Sequence, residues 1–511
     1  MTATEKFRSF SLVGIATVLL AICGCQGLQQ GSTTTTPPPP PPATLQTAVN
    51  HIIFMAQENR SFDTFFGQLP AYWAANGYPQ DPTQFDGMPA TASNPGFNGG
   101  AAISAYHLST VCIENLSPSW NESHVDWNVS DPSSTTATMD GFVYNAANYA
   151  INENAAGAQP AFTDTVGARA MGYYDGDDLN YYYFMASNFA TSDRWFAPAL
   201  DRTQVNRMYL FAATSQGYAY PPGSNPPSDN HPLTDLTIFD ALNKAGISWK
   251  VYYSDDTCAT AVADKQAPRG AIIRDAAASS GACTYLTQFA GYAPPNALPS
   301  NVVPVDPDYF NDVQNGTLPS VAFIEGGYES GRDEHPSSGT NMQTGANYES
   351  SLINALMTSS VSWKDSVFIL TYDEPGGLYD HVPPQPAVNP DGIAPIDLFP
   401  TDICSPTHDP NAPNCDFNYT GFRVPLLVVS PFTKKNYVSH TVADYTAILK
   451  LIETRFNIPS LTQRDAAQMD MTEFFDFQNV PWATPPTPPA QNTGGTCNAT
   501  VLGDAAQGQA K

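Results

Sequence analysis

Positive charge is what this chain of 511 residues most conspicuously lacks: 21 Lys and Arg stand against 48 Asp and Glu, a formal net charge of −27. So few cations exclude a general nucleic-acid surface, which needs basic patches to displace counterions. They also oppose adsorption to strongly anionic membranes. Histidine is sparse, with eight residues in all, which narrows the choice of groups that can move protons near neutral pH. The apolar run Phe10 to Ile22 is too short for a comfortable bilayer span. Beyond Cys25 no Cys-x-x-Cys spacing occurs, which argues against a thiolate zinc site. No repeat of solenoid period is apparent.

What is present is a core-forming composition. Hydrophobic residues make up 42% and aromatics 12%, so wholesale disorder is excluded. The N-terminus reads as an export signal, with Lys6 and Arg8 ahead of the apolar run. Ile22-Cys23-Gly24-Cys25 resembles a bacterial lipobox. This assigns 1–24 as signal peptide and Cys25 as a lipid anchor to the membrane; ordinary cleavage nearby is the other reading. The missing twin arginine points to general secretion. Residues 25–47 form a Thr/Pro-rich tether, stiffened by Pro37 to Pro42. The body is expected over 48–480, with a loosely held Pro-rich tail over 481–511. The expected location is periplasmic or cell-surface, otherwise secreted.

Six cysteines follow Cys25, and an even count in an exported chain predicts disulfides, with 15 possible connectivities. The economical pairing is Cys258–Cys283 and Cys404–Cys415, leaving Cys112 with Cys497.

Short apolar runs predict buried strands at His51–Ala56, Ile247–Tyr253, Ser320–Ile324, Ser366–Tyr372 and Val424–Ser430. Amphipathic stripes predict helices through Ile238, Phe239, Leu242 and Ala245, stopped by Gly246; through Tyr348, Leu352, Ile353 and Leu356; and through Tyr445, Ile448, Leu449, Ile452 and Phe456, ended by Pro459. Buried strands alternating with helices predict an α/β fold around a mostly parallel sheet, with functional groups beyond the strands' carboxyl ends.

At two such exits oxygen donors cluster. The first strand runs into Glu58-Asn59, and Ser366–Tyr372 runs into Asp373-Glu374-Pro375-Gly376-Gly377. Each cluster alone is more often a solvated turn, but together they make an oxygen-rich cage for a hard cation. Thr203, in Asp201-Arg202-Thr203, precedes a helical stretch expected at Met208–Thr214, where backbone N–H groups favour an anion; from this segment alone, a helix cap is the stronger reading. His124, His335 and His381 sit in polar, turn-like contexts suited to proton transfer. His440 and His51 read as structural.

Glu58-Asn59-Arg60-Ser61-Phe62-Asp63, Met171-Gly172-Tyr173-Tyr174, Asp193-Arg194-Trp195-Phe196, Asn206-Arg207-Met208-Tyr209, Asp333-Glu334-His335-Pro336, Tyr372-Asp373-Glu374, Tyr379-Asp380-His381-Val382 and Arg423-Val424-Pro425 follow one another in order. The series resembles the bacterial phosphoesterase family of phospholipases C and acid phosphatases, from about Val49 to Phe477. That resemblance implies an alkaline-phosphatase-like sandwich, a mostly parallel sheet between helix layers. It also implies a metal-assisted hydroxyl nucleophile. Glu58, Asn59, Thr203, Asp373 and Glu374 match the family's metal ligands, with the ion open among calcium, magnesium, manganese and zinc. Thr203 matches the nucleophile, and His124, His335 and His381 the histidines around the phosphoryl group. Two departures stand out: Asp201-Arg202 where the family often has Gly-Pro, and Pro375 where it often has His.

The implied activity is hydrolysis of phosphate esters through a phosphothreonine, leaning to a phospholipase C acting on phospholipids. An acid phosphatase acting on small phosphomonoesters is the alternative. A non-catalytic surface lipoprotein binding through aromatic loops such as Tyr181-Tyr182-Tyr183-Phe184 is the rival from another class. No Cys-x-Pro-x-Arg context supports a sulfatase.

Overall fold

The computed structural model describes residues 43–79, 84–221, 233–255, 284–292, 299–328, 330–405 and 415–503. The signal and tether up to residue 42, Cys25 and the expected Cys258–Cys283 pair lie outside these residues.

All five expected strands form, joined by three short ones: β1 His51–Gln57, β2 Ala190–Ser192, β3 Trp249–Tyr253, β4 Val302–Pro304, β5 Val321–Ile324, β6 Ser366–Tyr372, β7 Leu426–Val429 and β8 Tyr437–Ser439. They make one sheet in the order β8, β2, β7, β6, β1, β5, β3, β4. Pairing is parallel except on the two sides of β7, which runs antiparallel to both β6 and β2. The β6 sequence SVFILTY is buried at every position. That is why it reads as a continuous apolar run rather than an alternation, as strands covered on both faces do.

Helices flank this sheet, chief among them α1 Trp120–Trp127, α2 Phe142–Ala156, α3 Thr203–Ala212, α4 Ile238–Ala245, α5 Met342–Thr358 and α6 Ala447–Phe456. The α4 helix shows how local chemistry sets the bounds. Thr237 and Asp240 form a reciprocal capping box at its start, and Gly246 at φ 69° closes it. The α6 helix stops at Asn457, left-handed at φ 54°, two residues before the proline expected to end it. The α3 helix starts five residues before the expected stretch, because Val205 and Met208 already face the core.

Tyr181, Tyr182 and Tyr183 are buried within the helix Asn180–Asn188, the core placement usual for such a cluster, which leaves the rival reading without its binding loop. One expectation is corrected. The segment after 481 is not loose over the described residues. Val111 N–H donates to Thr496 O and Ser109 N–H to Leu502 O, both at 2.9 Å, and Trp363 Nε1 donates to Trp482 O at 2.9 Å. The Cys112–Cys497 disulfide fastens that strap, and Cys404–Cys415 closes a local loop. A Pro-rich composition hides such a strap because its partners lie hundreds of residues away. Among the described residues no helix is long and apolar enough to cross a membrane.

Candidate functional site

Parallel pairing delivers the first ligand set. Gln57 and Tyr372 are register partners at the ends of β1 and β6, so Glu58-Asn59 and Asp373-Glu374 leave the sheet at one level. Asp373 N–H donates to Gln57 O at 3.0 Å, prolonging the ladder by one bond. Asp373 Oδ1 then accepts from Asn59 N–H at 3.0 Å and Glu374 N–H at 2.8 Å, locking the two exits together. Asn59 takes a left-handed conformation, φ 61°, which asparagine tolerates better than most residues.

The α3 helix supplies the third part. Asn206 fastens the turn before it: its Oδ1 accepts from Ala199 N–H at 2.9 Å and its Nδ2 donates to Asp201 O at 2.6 Å. Arg202 is the N-cap residue, so Thr203 stands in the first turn and its hydroxyl is not used for capping. Thr203 Oγ1 lies 3.4 Å from Glu58 Oε2, 3.5 Å from Asn59 Oδ1 and 3.4 Å from Glu374 Oε1. A single hydroxyl proton serves one acceptor, and all three distances are long for an O–H···O bond.

Three side-chain oxygens within 3.5 Å of one hydroxyl make an oxygen-rich donor set of the kind hard divalent cations take. Thr203 is 7% exposed, more than Glu58 at 3% and the fully buried Asp373 and Glu374. Burial, with Asp373 alongside, pushes the Glu374 carboxyl well above its ordinary range. Burial and the Glu58 charge raise Asp373 to about 7, against the opposing pull of Arg207. Crowded, desolvated carboxylates of this kind need a cation. The chemistry of this donor set fits a divalent metal, which Glu58, Asn59, Thr203, Asp373 and Glu374 would hold.

Arg207 was not singled out from sequence as part of the site. It stands one helical turn after Thr203 on the same face, and that i, i+4 spacing was the available signal. Fully buried, it donates to Glu58 Oε1 at 3.1 Å and Asp373 Oδ2 at 3.3 Å, and approaches Glu325 Oε2 at 3.7 Å. Its guanidinium packs over Tyr285, 4.6 Å from the ring centroid. Tyr285 Oη donates to the same Glu58 Oε1 at 3.3 Å. One oxygen of Glu58 is thus held from behind and the other presented to Thr203.

The three expected histidines occupy different settings. Buried His124 donates Nδ1–H to Trp120 O at 2.7 Å within α1. His335 donates Nδ1–H to Pro336 O at 2.9 Å and follows Glu334, whose backbone is left-handed at φ 66°. Glu334 is pinned by the hydroxyls of Tyr182 and Tyr372, each at 2.6 Å. His381 lies in a buried ion network, with Nδ1 2.7 Å from Asp63 Oδ2 and Nε2 3.0 Å from Asp86 Oδ1. Desolvation pulls its pKa down, but the two carboxylates outweigh that and raise it to about 9. Asp63, Asp380 and His381 are close enough to share an ion, but Arg423 already fills that role, 2.9 Å from both carboxylates. Exposed His440 bonds Asp193 at 2.9 Å, and His51 bonds Pro319 O at 2.8 Å, as structural residues do.

Phospholipase C B of Mycobacterium tuberculosis is 28% identical over 483 residues, spanning 87% of this chain and 80% of that protein. Non-hemolytic phospholipase C of Burkholderia pseudomallei is 27% identical over 471 residues, 86% of this chain and 61% of that one. Non-specific phospholipase C1 of Arabidopsis thaliana is 26% identical over 458 residues, 86% of this chain and 73% of that one. Among solved structures, a protein of the alkaline phosphatase superfamily from Vibrio parahaemolyticus matches with a TM-score of 0.30 and 13% identity over 79% of this chain and 78% of that one. The model of the Phosphoesterase family matches residues 49–459. With that match over most of its length, the chain belongs to the Phosphoesterase family and is a hydrolase of phosphate esters.

Proposed function

We propose that the protein cleaves phosphate esters through a phosphothreonine at Thr203, with phospholipids as the favoured substrates in the manner of a phospholipase C. The observation that carries this reading is the Thr203 hydroxyl ringed by Glu58 Oε2, Asn59 Oδ1 and Glu374 Oε1 at 3.4–3.5 Å. The names of the relatives support the lean to phospholipids.

Glu58, Asn59, Thr203, Asp373 and Glu374 would hold a divalent cation, whose positive charge would lower the Thr203 pKa and offset charge on the phosphoryl oxygens. Calcium, magnesium, manganese and zinc all suit oxygen donors of this kind. Thr203 Oγ1 attacks phosphorus in line, and the bond from phosphorus to the leaving oxygen breaks. The hydroxyl proton ends on the leaving alcohol. Water then splits the phosphothreonine, its hydroxyl going to phosphorus and its proton back to Thr203. The N-terminal N–H groups of α3 favour the negative phosphoryl group. His124, His335 and His381 are the proposed histidines around that group. The carbonyl bonds of the first two fix their ring orientation, and His381 contributes a standing positive charge.

Export through the signal at 1–24, with lipid attachment at Cys25, belongs to the same reading. The two disulfides suit an oxidising compartment.

The test is a product assay on wild type and Thr203→Ala with phosphatidylcholine and p-nitrophenyl phosphate in parallel. Diacylglycerol and phosphocholine, lost in the variant, are the expected result. Phosphate from the monoester alone would make the protein a phosphatase. Activity unaffected by Thr203→Ala would remove Thr203 from the mechanism.

A further inference from the structure

The strands β1, β5, β3 and β4 run parallel, so their carboxyl ends share one edge of the sheet, the edge where ligands gather in open α/β folds. The Thr203 site lies beyond β1 and β6. A second cavity, of about 450 Å³, opens beyond β3 and β4, walled by the residues that leave these two strands, by Arg332 and by α5 through Asn347, Tyr348 and Ser351. It adjoins the Glu58 loop: Gln57 Nε2 donates to Arg332 O at 2.7 Å, and Glu58 N–H to Asp333 O at 2.9 Å. Its walls are fixed. Ser254 Oγ donates to Glu325 O at 2.6 Å and lies 2.6 Å from Tyr348 Oη. Asp255 Oδ1 accepts from Ser330 Oγ at 2.8 Å and from Ser330 N–H at 3.2 Å. Arg332 lays its guanidinium over the Tyr348 ring, 5.1 Å from the centroid.

Two opposite charges in this cavity are uncommitted. Arg207 and Arg423 each hold two carboxylates elsewhere in the chain. Among the described residues, by contrast, the exposed Arg332 guanidinium forms no ion pair or hydrogen bond, and neither does the exposed Asp306 carboxylate. Both line the cavity, yet they do not pair with each other. Tyr253 and Phe310 add aromatic rings to the same walls.

We propose that this cavity is a second ligand site, taking a small zwitterion with its phosphate on Arg332 and its alkylammonium toward Asp306, as in phosphocholine. A guanidinium fork matches two phosphate oxygens at once, and the stack on Tyr348 holds it ready. A carboxylate beside aromatic rings suits an alkylated ammonium. Pockets that enclose small molecules run from roughly 300 to 1,000 Å³, and this one falls within that range. Placing a phosphate rather than a carboxylate on Arg332 rests on the phospholipase C reading, whose reaction releases such a headgroup. Binding here needs no nucleophile.

The test is isothermal titration of the full chain, as wild type, Arg332→Ala and Asp306→Asn, with phosphocholine, choline and inorganic phosphate. Losing a charge-assisted bidentate contact predicts a phosphocholine Kd raised about tenfold or more in Arg332→Ala. Losing one exposed charge partner predicts a rise of about threefold in Asp306→Asn. Choline binding should weaken in Asp306→Asn alone. Tm and the kinetics on p-nitrophenyl phosphate, which carries no ammonium, should match wild type in both variants. Arg332→Gln gives the same readings if the alanine variant does not fold. A wild type that does not bind phosphocholine would overturn the proposal. So would a Kd equal in all three proteins, which places the ligand at Thr203 instead, or a loss confined to Arg332→Ala, which leaves a simple anion site. Flotation with phosphatidylcholine vesicles distinguishes the sources of the zwitterion: less flotation of Arg332→Ala than of wild type assigns the lipid headgroup, and equal flotation assigns the free compound. A Thr203→Ala enzyme that remains active would remove the nucleophile reading alone, since the titrations do not depend on turnover.

Discussion

Gly376 backs directly onto Asn59: a Cβ on Gly376 would stand 2.6 Å from the Asn59 carbonyl oxygen and 2.8 Å from its Cβ. The glycine also sits at φ 73°, and its N–H donates to Glu374 Oε2 at 2.5 Å. One small residue thus lets two ligand-bearing loops close on each other.

Gly376→Ala must relieve that clash by moving Asn59 or Glu374, and it forces alanine into the left-handed region. The backbone strain alone costs about 1–3 kcal/mol. The expected outcome is a fall in kcat/KM of at least about tenfold, because positioning errors near 1 Å are costly, together with a lower Tm. Steady-state kinetics beside thermal unfolding checks both. Full activity would show that the two loops are not coupled through this contact.

Arg207→Met removes the cation that holds Glu58 and Asp373 from behind. Breaking a buried ion pair by deleting one partner typically destabilises by about 3–5 kcal/mol. Urea unfolding should register a loss of that order, and isothermal titration should show weakened metal binding because Glu58 is no longer aimed. Arg207→Lys should recover little, since one ammonium does not reproduce the fork that reaches both carboxylates.

The His381 network predicts a stability slope. The groups facing this ring are Asp63, Asp86, Asp380 and Arg423, with Arg194 on the far side of Asp86. Its pKa is raised from 6.5 to about 9 in the folded protein. The protonated ring therefore stabilises the fold fully below pH 6.5, and that contribution, on the order of 3 kcal/mol, is lost as pH rises through about 9. Denaturant midpoints measured from pH 6 to pH 9.5 should fall, and His381→Gln should flatten most of that decline. An unchanged slope in the variant would place the titrating group elsewhere.

Removing metal should leave the carboxylates of Glu58, Asp373 and Glu374 crowded, with Arg207 offsetting only part of their charge. Chelator is expected to abolish hydrolysis and lower Tm. Adding calcium, magnesium, manganese and zinc one at a time should restore both, the largest shift marking the preferred ion. Thr203→Ala should retain a reduced Tm response, since Glu58, Asn59, Asp373 and Glu374 remain.

Strand exits made much of this legible beforehand. Continuous apolar runs located β1 and β6, and polar oxygens after each run marked Glu58-Asn59 and Asp373-Glu374. What escaped was set by topology. The Arg207 pairing with Glu325 depends on β5 lying beside β1, which no local pattern encodes. The Cys112–Cys497 pairing is the expected one, but the strap it closes has only loop-like composition on one side. His381 looked like a proton donor from its turn-like context, whereas its two carboxylate partners come from Asp63 and Asp86, about three hundred residues earlier.

The ligand set also has a consequence for the whole chain. Thr203 is 145 residues from Glu58 and 171 from Glu374. A single ion gripping all three would act as a cross-link closing two very large loops, and the entropy withheld from the unfolded chain grows with loop length. Loading the site would then tighten segments far from any phosphate, so protease resistance at distant surface loops should rise and fall with the ion.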